Sequence, residues 1–98
     1  MSDLILALQT WYLRQCNGDW EHEFGIKIEN IDNPGWRVLI PLERTDCENK
    51  IFEDVEIERS KTDWLHCKKK GSQFLAWGGP SNLNEILKLF LLWSCEID

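Results

Sequence analysis

The chain has 98 residues, enough for one hydrophobic core and too few for two, so a single domain spanning residues 1–98 is expected. Its 43% apolar and 29% charged residues exclude a disordered tail, and a formal charge of −6 argues against nucleic acid as a partner while suiting a basic protein. The longest apolar run, Leu89 to Trp93, is too short to cross a bilayer, and Met1 to Leu6 lacks the basic start of a secretory signal; a cytoplasmic protein with no membrane partner is expected.

In chain order, Asp3 to Cys16 places apolar residues at 4, 5, 8, 11 and 12, the spacing of an amphipathic helix, with Ser2 or Asp3 as its N-cap and Asn17-Gly18 as its stop. Asp19 to Glu23 then reads as a loop or the start of a strand. Phe24 to Ile31 alternates, with Phe24, Ile26 and Ile28 opposed to Lys27 and Glu29, which predicts a half-buried strand. Asp32-Asn33-Pro34-Gly35 has the composition of a type II turn, so Trp36 to Leu42 is expected to return as the antiparallel partner. Glu43 to Lys50 is an acidic loop, and Ile51 to Arg59 a further strand whose exposed face is strongly negative. Thr62 to Lys69 and Gln73 to Trp77 form a hairpin around Lys70-Gly71-Ser72. After Gly78-Gly79-Pro80, Ser81 or Asn82 is expected to cap a second helix from Leu83 to about Cys95, and Asn82 with Glu85 has the pattern of a capping box.

Two helices that each carry one apolar stripe need a sheet face to cover it. The fold class is therefore α+β: an antiparallel sheet of four to five strands with the N-terminal and C-terminal helices packed on one face. Trp11, Ile26, Ile28, Val38, Ile40, Leu87, Phe90 and Leu91 are expected to line the core.

Several residues could carry chemistry. His66-Cys67 followed by three lysines has the outline of a phosphatase thiol loop, but Gln73 stands where the cation that holds the phosphate is needed, and the segment lies in a hairpin rather than at a helix N-terminus. Cys67 packed beneath the sheet with His66 toward solvent is the competing reading. Cys16, Cys47, Cys67 and Cys95 form no C-x-x-C pair, so neither a disulfide framework nor a zinc ribbon is indicated; Cys16, His22, His66 and Cys67 could share a metal only by converging in the fold. No metal, cofactor or catalytic residue is expected. Gly78-Gly79-Pro80 lacks the Lys and hydroxyl of a phosphate loop, and Lys68 to Lys70 reads as a solvated hairpin tip.

Asp19, Trp20, Glu21, His22 and Glu23 interleave acids with an indole and an imidazole directly after a helix stop. This segment is either a solvated acidic face or a protein-binding face, and a paired-carboxylate active site is the enzymatic alternative. Trp20 itself reads equally as an interface anchor or as a core residue closing the first helix. The acid is concentrated here and beyond: residues 1–60 hold thirteen acids and six bases, residues 61–98 four and five.

Trp11-Tyr12, Gln15 to His22, Gly25 to Glu29, Asp32 to Trp36, Gly78-Gly79-Pro80 and Asn82-Leu83 together resemble the immunity protein 53 family of bacterial polymorphic toxin systems. The resemblance covers nearly the whole chain and is weakest over Glu43 to Lys50. It implies a small α+β cytoplasmic protein that binds and neutralises a cognate toxin domain and has no enzyme activity. An acidic surface with an exposed indole suits a basic toxin, for which a nuclease is one candidate. The alternative is a small thiol- or carboxylate-dependent enzyme.

Overall fold

The computed structural model describes residues 3–98. Helix α1 covers Leu4–Gln15, and Asp3 caps it by accepting a hydrogen bond from the Leu6 N–H at 3.1 Å; Ser2, the other expected cap, lies outside the described residues. Leu4, Leu8 and Trp11, at the i, i+4, i+7 spacing of one helix face, are buried. Gly18, at φ +97°, turns the chain after α1 in a conformation that a side chain would disfavour. A single helical turn, α2 (Trp20–Glu23), follows.

Strands β1 (Lys27–Ile31), β2 (Gly35–Pro41), β3 (Val55–Glu58), β4 (Trp64–Lys70) and β5 (Gln73–Gly78) form one antiparallel sheet in the order β1-β2-β5-β4-β3, and α3 (Leu83–Trp93) closes the chain. The sheet is thus two local pieces, the β1–β2 hairpin and the β3-β4-β5 meander, joined where β2 pairs with β5.

Alternation divides the sheet by side. Val38, Ile40, Leu65, Cys67, Phe74 and Ala76 share one face and join Leu8 and Trp11 of α1 and Ile86, Leu87, Phe90 and Leu91 of α3 in a single buried cluster. Phe90 is its centre, with ring centroids 5.1 Å from both Trp11 and Phe74, so it holds helix to helix and helix to sheet. Each such side chain contributes about 1.5–3 kcal/mol through removal from water.

Four details depart from the sequence reading. The first strand begins at Lys27, and because β1 is an edge strand, Ile26 is half-buried and Ile28 is exposed instead of both lying in the core. Gly35 is not in the left-handed region that a type II turn requires. It already belongs to β2, opposite Ile31, after a cis Asn33–Pro34 bond, and it must be glycine because a Cβ there would collide with the Gly78 carbonyl oxygen. The third strand is only Val55–Glu58, since Phe52 leaves the ladder to pack on Phe74 and Trp93. Finally, the capping box does not form. The Asn82 Oδ1 accepts from the Trp64 N–H at 3.2 Å, and its Nδ2 donates to Asp63 and Glu85, so the side chain ties α3 to β4 instead of capping α3.

Candidate functional site

The turn at residues 17–23 is built by two side chains acting on backbone. Asn17 Oδ1 accepts from the N–H groups of Asp19 and Trp20 at 2.9 and 3.0 Å, and the Glu21 carboxylate accepts from those of Asn17 and Gly18 at 2.9 and 2.8 Å. Hydrogen bonds from its own backbone N–H, and then from those of Asn17 and Gly18, hold the Glu21 carboxyl below the usual carboxylate range. Because the segment is helical, Asp19, Glu21 and Glu23 do not share the single face that strand alternation predicts.

Trp20 corrects the expected surface further. Its indole is 1% exposed, donates to the Glu43 carbonyl at 2.8 Å, and packs against Trp11, Tyr12 and Phe24. A large apolar ring next to a tight turn gains more by filling the space beneath α1 than by facing water. Asp19, His22 and Glu23 remain exposed; Glu23 pairs with Arg44 at 2.8 Å, and Arg44 lies over the Phe24 ring.

Glu23 also stands on the rim of a larger feature. No described element covers the sheet face opposite the helices, and a groove of about 890 Å³ runs over it from Glu23 and Phe24 to Leu39, Leu75 and Trp77. One row crosses all five strands on this face, Glu29–Arg37–Trp77–His66–Glu56, and the next is Lys27–Leu39–Leu75–Lys68. Arg37 pairs with Glu29 at 3.1 Å, the Lys68 ammonium lies 5.6 Å from the Trp77 ring centre, and His66 meets Glu58 at 3.0 Å while its ring stacks edge-on with Trp64. An aromatic centre bordered by charges is the anatomy of a protein-binding surface.

Reading the sequence alone did not single out Trp64 and Trp77. Their signals were two alternations: Trp64-Leu65-His66-Cys67-Lys68, which puts Leu65 and Cys67 inside and the other three on the open face, and Gln73-Phe74-Leu75-Ala76-Trp77, which puts Phe74 and Ala76 inside and Trp77 on the open face.

Glu56, Glu58 and His66 are the one group of metal-ligating side chains among the described residues whose ligand atoms lie within 4.8 Å of one another, and all three are on this face. Cys16, His22, His66 and Cys67 are not brought together in such a group. Cys67 is 2% exposed, and burial pushes its thiol up to about 12, so it holds no thiolate with which to attack a substrate at neutral pH. The three lysines of the hairpin do not make one patch. Lys69 turns beneath the sheet and donates to the Glu48 and Lys50 carbonyls at 2.6 and 2.7 Å, fixing the loop after β2, while Lys68 stays on the open face. The Gly79 N–H donates to the Trp64 carbonyl, which makes Gly78-Gly79-Pro80 a turn bound to β4.

Compared with known protein families, residues 5–95 match the family model of immunity protein 53. No curated protein and no solved structure matches the chain. Among the described residues, no helix is long and apolar enough to cross a membrane.

Proposed function

Because this chain belongs to the immunity protein 53 family, we propose that it is a cytoplasmic immunity protein of a bacterial polymorphic toxin system, a single domain that neutralises its cognate toxin domain by stoichiometric binding and without catalysis. The observation that carries this reading is the family match, which runs across every strand, α2, α3 and all of α1 but Leu4. The net charge of −6 supports a basic toxin, as a nuclease would be, because long-range attraction speeds encounter between oppositely charged partners. Burial of Cys67 weighs against the thiol-enzyme alternative.

The first surface we assign to the toxin is α2 with its preceding turn: Asp19, His22 and Glu23 as charged and polar contacts, Glu21 as the carboxylate that shapes the turn, and Trp20 as the buried support beneath them. Co-expression with the toxin domain encoded beside this chain should restore growth, and the two should migrate as one complex at equimolar ratio. Growth arrest despite soluble expression, with no complex formed, would remove the reading. Asp19→Lys with Glu23→Lys should weaken toxin binding about tenfold if α2 lies in the contact.

A further inference from the structure

Burial and indole hydrogen bonding together divide the tryptophans by use. Those of Trp20, Trp36 and Trp93 each donate to a backbone carbonyl inside the protein, at 2.8 to 2.9 Å, and Trp11 is buried in the core. Trp64 and Trp77 are half-buried on the open sheet face, and no described residue accepts from their indole N–H groups. A half-buried indole with its donor free is the side chain most often found anchoring a protein contact.

Charge shows the same division. All four arginines, Arg14, Arg37, Arg44 and Arg59, are paired with carboxylates of their own chain. Along β3 and the residues leading into it, no Lys or Arg among the described residues pairs with Glu53, Asp54, Glu56 or Glu58; His66 is the only ionisable partner, at Glu58. The acids at 56 and 58 stand on the same face as Trp64 and Trp77, on the strand that forms one edge of the sheet. Lys68 already lies over one face of the Trp77 ring, which leaves the indole edge and N–H for a partner.

We propose that the β3-β4-β5 part of the open sheet face is the principal toxin-docking surface, receiving a basic patch of the toxin domain. Trp64 and Trp77 donate to acceptors on the toxin, and Glu56 and Glu58 take its lysine or arginine side chains. This rests on the immunity reading above and gives it a location; the groove that Glu23 borders reaches this surface only at its Trp77 end, which makes the α2 surface the margin of the contact instead of its centre.

The test is a titration of the ¹⁵N-labelled chain with the toxin domain encoded beside it, following the indole N–H signals, together with calorimetry on variants. Docking here shifts or broadens the Trp64 and Trp77 signals while those of Trp20, Trp36 and Trp93 hold. Trp77→Ala and the pair Glu56→Lys with Glu58→Lys each weaken binding at least about tenfold, the charge reversals acting more strongly at low salt, and Asp46→Lys, an exposed reversal off this face, leaves affinity within about twofold. Wild-type binding with the Trp64 and Trp77 signals unmoved overturns the location and leaves the immunity reading standing. Absence of any binding by the wild-type chain overturns both. The titration uses the unaltered protein, so a Trp77→Ala variant that failed to fold would not decide the outcome.

Discussion

Truncating Trp20 would empty the space between Trp11, Tyr12 and Phe24 and strand the Glu43 carbonyl that its indole serves. We expect Trp20→Ala to lower unfolding free energy by about 3–5 kcal/mol and Trp20→Phe, which keeps a ring but not the donor, by less, as read from urea denaturation. A loss below about 1 kcal/mol for Trp20→Ala would contradict its place in the core. Glu21 acts through ionisation. Its folded pKa is depressed, so the stability it adds is fully present above the unfolded value near about 4.3 and is lost as pH falls through the lower folded value. Glu21→Gln should therefore flatten the decline in melting temperature below about pH 4 relative to the parent chain, and equal slopes would refute the capping role. The thiols divide as the sheet does: Cys95 is exposed and Cys16 half-buried, whereas Cys47 and Cys67 lie in the core. A thiol reagent should label Cys95 and Cys16 first in the native protein and all four only after denaturation.

Between elements, the join of β4 to α3 depends on Asn82, a polar side chain only 2% exposed. Asn82→Ala would leave the Trp64 backbone N–H without its acceptor and should cost about 1–3 kcal/mol. Asn82→Asp should do worse, because a carboxylate would replace the amide donor facing Asp63, whose carboxyl is held low by Asn82 and then Arg59, and Glu85, whose carboxyl is held low mainly by Arg59 and then Asn82. Thermal melting of the two variants orders them; Asn82→Asp more stable than Asn82→Ala would count against the network. At this scale the sequence was readable wherever a local rule sufficed. Both terminal helices follow from apolar spacing, and the β4–β5 hairpin from its Gly71-Ser72 turn. The order β1-β2-β5-β4-β3 was not readable, because pairing of β2 with β5 depends on residues far apart in the chain, and no local pattern specifies it. The one-turn α2 was missed for a different reason. Four residues are too few to show helical period, and alternating acids mimic a strand. For the site, acids, indole and imidazole could be recognised as contact-forming types, but composition cannot tell which indoles find an acceptor inside the fold.

For the molecule as a whole, the sheet has a covered side and an open side, and one seam holds its two pieces together. The six pairs from Trp36 opposite Gly78 to Pro41 opposite Gln73 join the N-terminal hairpin to the meander, and α3 lies across them through Phe74 and Phe90. The hairpin and the meander each close over short stretches of chain, whereas the seam must wait until the segment between Leu42 and Ser72 has been folded back. Formation of the seam should therefore dominate the folding barrier, and substitutions at Val38, Ile40 or Ala76 should slow refolding more than equally destabilising ones at Ile28 or Ile57. The same topology grades native-state hydrogen exchange. Amides of β2 and β5 are freed only when the whole domain opens, while those of the flanking strands β1 and β3 are freed by local fraying. A toxin seated on the open face would then leave the slowest amides nearly unchanged in rank and act most visibly on β3, slowing the fraying of an edge that the isolated protein leaves unpaired.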